Sequence, residues 1–326
     1  MTDRPYDAAL RWISAAVDDG RLDRGVFGVA TSGGTVLLEP FGRGTSADEH
    51  FAVFSVTKPV VGLIALRLVE QGLLSLRQPL REVLPGFGPG RTDEVTLRHL
   101  LTHTSGVLDG KVDPPGGLRQ ALIDAPAVFR AGTAVQYSSL AFEGIAAMIE
   151  HASGRTVDEH LAELPGGDAM TFDPGCPAVA VTEIDRFVAD SASFRRTRHP
   201  GAGLLARADG LLRLGSSLLR GDGAAVHPVT LAAMTTPQST GLPILSADPM
   251  FAEQDWGLTW TLRDRSTTLL ERRVYGHGGW SGCQWWLYPD HDACVVLLVN
   301  NLYPGVPGVQ LDNLLNAFTT GLPMRQ

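Results

Sequence analysis

Between Asp7 and Val17 apolar residues recur at helical spacing (Ala8, Leu10, Ile13, Ala16, Val17), which predicts an amphipathic surface helix. The period then shortens. Gly25 to Thr31 and Thr35 to Glu39 are mostly apolar and β-branched, and Ser32-Gly33-Gly34 between them has the chemistry of a tight hairpin turn, so two strands are expected. From Ser55 to Gln71 the pattern is helical again through Val60, Leu63, Ile64, Leu66, Leu68 and Val69, with Gly72 placed to end the helix. Between about Ser75 and Pro200, short helical patterns are broken by proline and glycine; they include Leu97 to Leu101, Leu118 to Asp124 and Leu140 to His151. Beyond Gly201 a helix from Arg207 to Leu219 leads into four strand-like runs, Gly257 to Arg263, Arg272 to Gly276, Cys283 to Tyr288 and Ala293 to Asn300, and Leu311 to Phe318 closes as a helix. Strands near both ends with helices between them predict an α/β fold of the α+β type. Residues 1–75 and 201–326 are expected to form the sheet domain, and residues 76–200 a helical domain inserted into it.

Composition narrows the function classes. A hydrophobic share of 44% and a charged share of 19% leave no room for a long disordered tail or a coiled coil. The net charge of −8 and the scattering of the basic residues exclude nucleic acid as a partner, because phosphate binding needs clustered positive charge. Met1 to Asp7 is polar, unlike a secretory signal, and the longest apolar run, Ala293 to Val299, is too short to span a bilayer; a cytoplasmic protein with no membrane partner is expected. Cys176, Cys283 and Cys294 show no metal spacing and read as buried free thiols. The nine histidines include no His-Glu-x-x-His, and no glycine-rich loop runs into a lysine, so neither a metal nor a nucleotide cofactor is expected. Of the 27 basic residues only Lys58 and Lys111 are lysines. Arginine does not lose its proton in a protein whereas a buried lysine does, so Lys58, within an apolar segment, suggests a role that needs deprotonation.

Three segments carry candidate chemistry. In Ser55-Val56-Thr57-Lys58 the outer residues are three apart on one helical face, which brings the lysine amine within reach of the serine hydroxyl. A serine hydroxyl is a poor nucleophile until a base takes its proton. The amide groups and positive dipole end of the helix start are expected to lower the lysine pKa and to favour an oxyanion. Alone the motif is weak, since chance supplies about one Ser-x-x-Lys in a chain of this size at average composition. Tyr137-Ser138-Ser139 stands just before the Leu140 to His151 pattern, where a tyrosine can relay a proton to a leaving group, its phenolate shared with the lysine; by itself it reads more often as a core tyrosine. Gly276-His277-Gly278-Gly279-Trp280 ends a predicted strand and enters a turn. Its glycines let a substrate approach the backbone, and the N–H of Trp280 can complete an oxyanion hole with that of Ser55; the competing reading is a plain hairpin turn.

In order and spacing these segments resemble the serine β-lactamase and penicillin-binding-protein superfamily, in particular its class C-like branch with the family VIII carboxylesterases. Ser55-Val56-Thr57-Lys58-Pro59 and the run to Gly72 look like its nucleophile helix, and Leu100-Leu101-Thr102-His103-Thr104-Ser105-Gly106 looks like its structural turn, with His103 structural. Tyr137-Ser138-Ser139 is similar to its Tyr-x-Asn element, His277-Gly278-Gly279 stands where Lys-Thr-Gly or His-x-Gly occurs, and Trp256-Gly257-Leu258-Thr259-Trp260 is like the strand preceding it. The resemblance implies an antiparallel sheet flanked by helices. It also implies an acyl-enzyme on Ser55 with Lys58 as proton acceptor and Tyr137 assisting, and substrate contacts from Ser139, His277, Gly278, Gly279 and Trp280.

The departures bear on substrate. Serine in place of asparagine at 139 has a shorter reach for an acyl-amide, and His277 in place of lysine is at best partly charged at neutral pH, so both disfavour an anionic amide and suit an uncharged ester. Trp280, Trp285 and Trp286 are expected to add apolar surface near the site, although strand alternation sends Trp285 and Trp286 to opposite faces and at least one into the core. A carboxylesterase for small or hydrophobic acyl esters is therefore expected. The alternatives are an acyltransferase of secondary metabolism, a β-lactamase or D-amino-acid amidase, and a non-catalytic β-lactam-binding sensor. An α/β-hydrolase fails on order, since no Gly-x-Ser-x-Gly elbow follows a His-Gly-Gly motif here.

Overall fold

The computed structural model describes residues 5–182, 184, 188, 191–245, 254–263, 273–301 and 311–323. The first helix, α1 (Asp7–Asp18), and the hairpin β1 (Gly25–Thr31) and β2 (Gly34–Phe41) lie where the periodicity predicts them. A short strand, β3 (Phe51–Ala52), precedes a single 3-10 turn, Phe54–Val56, and then α2 (Thr57–Glu70). Helices α3 (Leu80–Val83), α4 (Leu97–Leu101), α5 (Leu118–Ile123), α6 (Ala141–Ser153) and α7 (Val157–Leu161) follow, then β4 (Met170–Thr171), α8 (Ser191–Arg196), β5 (Leu205–Ala206), α9 (Ala208–Arg220) and α10 (Pro228–Met234). The chain finishes with β6 (Asp255–Trp256), β7 (Thr261–Leu262), β8 (Tyr275–Gly278), β9 (Gln284–Tyr288), β10 (Ala293–Val299) and α11 (Leu311–Thr319).

Seven strands form one antiparallel sheet in the order β2-β1-β10-β9-β8-β7-β6, so the two ends of the chain meet where Gly25–Ala30 pairs with Cys294–Val299. β1 and β10 are apolar at nearly every position because both faces of the sheet are covered. On one face Phe27, Val29, Val295, Leu297 and Val299 pack on Ile13 and Ala16 of α1 and on Leu314 and Phe318 of α11. On the other face Val26, Val296 and Leu298 join a core that takes in α9, α2 and α6. Residues two apart share a face, so this alternation follows from the pleat. The same rule separates Trp285 from Trp286, and both are fully buried, Trp285 against Trp260 and Trp286 beneath the Arg263 guanidinium. The rings lie on opposite faces as expected, but both rather than one belong to the core, and neither adds apolar surface to a cleft.

Helix α2 differs from a surface helix in being buried nearly all round, from Thr57 to Leu66 and again at Leu68. It packs on α6, α7 and β8, which sets it at the centre of the molecule. The core around it is continuous from Val26 in the sheet to Leu100 and Ile145 in the helical region, and so crosses both expected boundaries. A second sheet, β3-β5-β4, ties the residues just before Ser55 to Leu205–Ala206 and to Met170–Thr171. The run Gly257 to Arg263, expected as one strand, is two: Gly257 donates to the Trp260 carbonyl at 2.9 Å across a turn that separates β6 from β7. The strand expected over Arg272 to Gly276 runs later, over Tyr275–Gly278, so His277 and Gly278 lie within it rather than past its end; Arg272 is outside the described residues.

Candidate active site

Ser55 sits in the 3-10 turn that leads into α2, and Lys58 is the second residue of the helix proper. Lys58 is fully buried, and its Nζ lies 3.0 Å from Ser55 Oγ, 3.0 Å from Ser139 Oγ and 2.8 Å from the Gly201 carbonyl oxygen. The Tyr137 hydroxyl donates to Ser55 Oγ at 2.7 Å. Segments 80 and more residues apart in the chain thus converge on the Ser55–Lys58 pair, Tyr137 on the serine oxygen and Ser139 on the amine, both delivered by the turn just ahead of α6. Asp109 anchors that turn. Its Oδ1 accepts from the Leu140 amide at 2.8 Å and from Ser138 Oγ at 3.4 Å, while Ser138 Oγ accepts from the Ala141 amide.

Burial of the amine lowers the Lys58 pKa to about 7, and Asp109 partly opposes the shift. Removal from water, which the apolar setting of Lys58 suggested beside the helix start, is the main cause. A neutral amine has two N–H groups and one lone pair. Gly201 O can only accept and Ser139 Oγ takes the second N–H, which leaves the lone pair for the proton of Ser55. Burial pushes the Tyr137 hydroxyl well above its usual value, with Asp109 adding to the rise, so its resting form is the phenol that donates to Ser55 and not a phenolate shared with Lys58.

Three imidazoles surround the lysine, and none carries charge. Burial and the Lys58 charge lower His199 and His277 to about 3 and put His103 well below its ordinary value, with His277 adding to the effect on His103. His103 is structural, as expected: its Nδ1 accepts from the Ser138 amide at 3.1 Å, its carbonyl accepts from the Gln136 amide at 2.9 Å, and its ring lies 4.5 Å from that of Tyr137. Trp256 closes this aromatic box, 4.4 Å from the His103 ring and 5.6 Å from Tyr137. His277 is buried too, its ring 6.1 Å from Tyr137 and 5.8 Å from Trp256. The Gly278 carbonyl only accepts, so the 2.7 Å contact from His277 Nδ1 makes that nitrogen the donor and leaves Nε2 an enclosed acceptor.

The turn after β8 lies against the strand that leads to the nucleophile. A methyl group on Gly279 would come 2.3 Å from the Val53 carbonyl oxygen, so only glycine allows this approach, and Ser281 Oγ donates to the Ala52 carbonyl at 3.0 Å. Trp280, between them, is held alongside residues 52–55 with its side chain 43% exposed. Sequence reasoning missed Gly201, Thr259 and Trp256 as site residues. Thr259 Oγ1 donates to the Lys58 carbonyl at 2.8 Å, and Gly62 leaves room for it, since a methyl group there would stand 2.4 Å from Thr259. Among the described residues no group of three His, Cys, Asp or Glu is placed to hold a metal, and no helix is long and apolar enough to cross a membrane.

The sequence profile of the Beta-lactamase family matches residues 10–317. Esterase EstB of Burkholderia gladioli is 30% identical over an alignment that covers 82% of this chain and 81% of the esterase. Among solved structures, a penicillin-binding protein homologue from Caulobacter crescentus superposes with a TM-score of 0.78 at 22% identity, covering 99% of each chain. EstCE1, described as a hydrolase with promiscuous acyltransferase activity, superposes with a TM-score of 0.75 at 20% identity over 96% of this chain and 99% of its own.

Proposed function

The chain belongs to the beta-lactamase family, a family of serine hydrolases, and on that premise we propose that it is a carboxylesterase for small or hydrophobic acyl esters that works through an acyl-enzyme on Ser55. One observation carries the reading. Ser55 Oγ lies between a buried amine that is half neutral near pH 7 and a phenol that stays protonated, at 3.0 and 2.7 Å. Lys58 takes the serine proton as Oγ attacks the carbonyl carbon. The backbone N–H groups of Ser55 and Trp280 receive the oxyanion, and Tyr137 passes a proton to the departing alkoxide. Lys58 returns its proton to the Tyr137 phenolate, and the lysine, neutral again, deprotonates the water that attacks the acyl-serine; that proton passes to Ser55 Oγ as the carboxylic acid leaves, which restores all three residues.

The surroundings favour an uncharged substrate. His277 stands where a cation would meet a carboxylate, yet it is neutral and buried, and Ser139 Oγ is engaged by Lys58 rather than held out toward an acyl-amide. EstB, the esterase relative, fits the same reading. The test is intact-protein mass after brief exposure to a short-chain nitrophenyl ester and, separately, to a chromogenic cephalosporin, with the released chromophore followed in parallel. Ester turnover that disappears in Ser55→Ala, with the cephalosporin ignored, is the expected result. A lasting cephalosporin adduct without ester turnover would instead make the protein a β-lactam-binding sensor and end the esterase reading. EstCE1 is described as transferring acyl groups, and adding an alcohol to the ester assay tells whether this enzyme also yields a new ester beside the acid.

A further inference from the structure

Among the described residues six non-glycine residues have a left-handed backbone, and four of them surround the site: Phe54 (φ 45°), His103 (57°), Arg198 (45°) and Thr259 (73°). Each braces a different part of it. Phe54 immediately precedes Ser55. His103 supports Tyr137, and Thr259 holds the Lys58 carbonyl. Arg198 precedes His199, whose Nδ1 accepts from the Gly201 amide at 3.0 Å in the turn whose carbonyl receives Lys58. A side chain with a Cβ disfavours this conformation, which persists only where the surroundings impose it, and such residues gather at functional sites.

Phe54 is the informative case, because it has no polar side-chain group with which to stabilise a left-handed turn locally. Packing must do so. Its ring is 1% exposed and stacks on Phe194 at 5.7 Å between centroids and 11° between planes. The pair forms a small apolar cluster with Val188 and Ala202, apart from the two main cores, with Val112 packed against it from the 108–113 loop. Phe194 touches none of the proposed reacting atoms, yet it lies directly behind the residue that sets the direction of the Ser55 backbone.

We propose that Phe194 is a positioning residue for the nucleophile: its stack on Phe54 keeps that backbone left-handed and thereby holds Ser55 Oγ between Lys58 and Tyr137. The inference rests on Ser55 being the nucleophile but not on which ester it attacks. Relaxation of Phe54 to an ordinary φ would swing the next peptide and carry Oγ off its two partners, and a displacement of about 1 Å costs on the order of a hundredfold in rate.

The probe is an alkyl fluorophosphonate, which Ser55 attacks at phosphorus with loss of fluoride and transfer of its proton to Lys58. The second-order labelling rate is read by intact mass at pH 8, with a urea midpoint to confirm that each variant is folded. Phe194→Leu, which keeps apolar volume without a ring, is expected to label about 10- to 100-fold more slowly, while Phe194→Tyr stays within about threefold of wild type. In a Phe54→Gly background, where a left-handed backbone carries no penalty and no ring remains to be stacked, Phe194→Leu is expected to have no further effect. Phe54→Asn serves in the same way if the glycine variant does not fold. An equal loss from Phe194→Leu in both backgrounds, or no loss in the Phe54 background, overturns the proposal while leaving the esterase reading intact. A wild-type enzyme that takes no label on Ser55 removes both.

Discussion

Acylation of Ser55 is expected to follow the neutral fraction of Lys58. A lysine with its ordinary pKa of 10.5 is neutral in roughly three molecules in ten thousand at pH 7, whereas one lowered to about 7 is neutral in about half, so burial raises the population of competent base on the order of a thousandfold. The sign follows from the role: a proton acceptor must be unprotonated, so the rate climbs with pH and levels off above about pH 8. At pH 5.5 about 3% of the amine is neutral, and acylation should run about thirtyfold below its plateau. No descending limb is expected at moderately alkaline pH, because Tyr137 is held as the phenol well above its usual range. The assay is the stopped-flow burst of nitrophenol from a short-chain ester, read at the wavelength where nitrophenol and nitrophenolate absorb equally. Lys58→Arg serves as the control, since a guanidinium cannot give up its proton, and it should lose the burst at every pH. A burst rate flat from pH 5.5 to 8, an inflection near the ordinary lysine value, or a near-normal Lys58→Arg enzyme would each refute the assignment of Lys58 as base.

Lys58→Met should be inactive but more stable near neutrality. The native lysine pKa lies below the unfolded one, so between about pH 7 and 10.5 the unfolded chain binds more protons, and wild-type stability rises with pH through that window; below it the penalty is fully present. Between pH 7 and 9 wild type should gain about 2 kcal/mol relative to Lys58→Met in urea unfolding, and parallel curves would show that the lysine is not depressed. Asp109 opposes the lowering of the Lys58 pKa, so Asp109→Asn, which keeps an acceptor for the Leu140 amide, should move the acylation limb to lower pH; an unmoved limb would remove Asp109 from the electrostatics. Ser139→Asn should create or strengthen turnover of cephalosporins, and an unchanged spectrum of substrates would weaken the argument from the departures at 139 and 277.

Elements whose burial is one-sided or uniform were legible from the sequence: α1 through its 3.6-residue period, β1 and β10 through their apolar runs, and α2 through its length and the Gly72 that follows it. The convergence of Ser55, Lys58 and Tyr137 was legible, the first two through their three-residue spacing and Tyr137 through the family resemblance. Gly201 was not, because what it supplies is a backbone carbonyl, and the close approach to the Ser139 backbone that requires a glycine there exists only in the folded chain. The break in the Gly257 to Arg263 run was hidden for a different reason. Thr259 favours a strand by propensity, and only tertiary contacts with Lys58, Leu101 and Gly62 hold it at φ 73°. The tryptophans misled because a strand buried on both faces cannot be told from one that lines a cleft by apolarity alone.

The lowered Lys58 pKa and the neutral histidines have one origin. A carboxylate beside a buried ammonium would pair with it and keep it charged, which satisfies the charge but destroys the base. Here the buried lysine is met by a carbonyl, two hydroxyls, the faces of Tyr137 and Phe142 at 4.6 and 5.5 Å, and imidazoles that cannot hold a proton; the carboxylate that acts on it, Asp109, is on an exposed loop where water and salt screen it. The same surroundings that release the lysine proton also leave an anionic substrate without a fixed cation, because His103, His199 and His277 are neutral for the reason that Lys58 is. On the proposed reading, activation of the nucleophile and preference for an uncharged ester are therefore coupled. Ser139→Asp places a carboxylate where a hydroxyl now meets the amine and should undo the first directly, with loss of the nitrophenol burst at neutral pH and its return only as pH approaches the ordinary lysine range. A Ser139→Asp enzyme with a normal neutral burst would show that the lysine owes its proton affinity to something other than its uncharged surroundings.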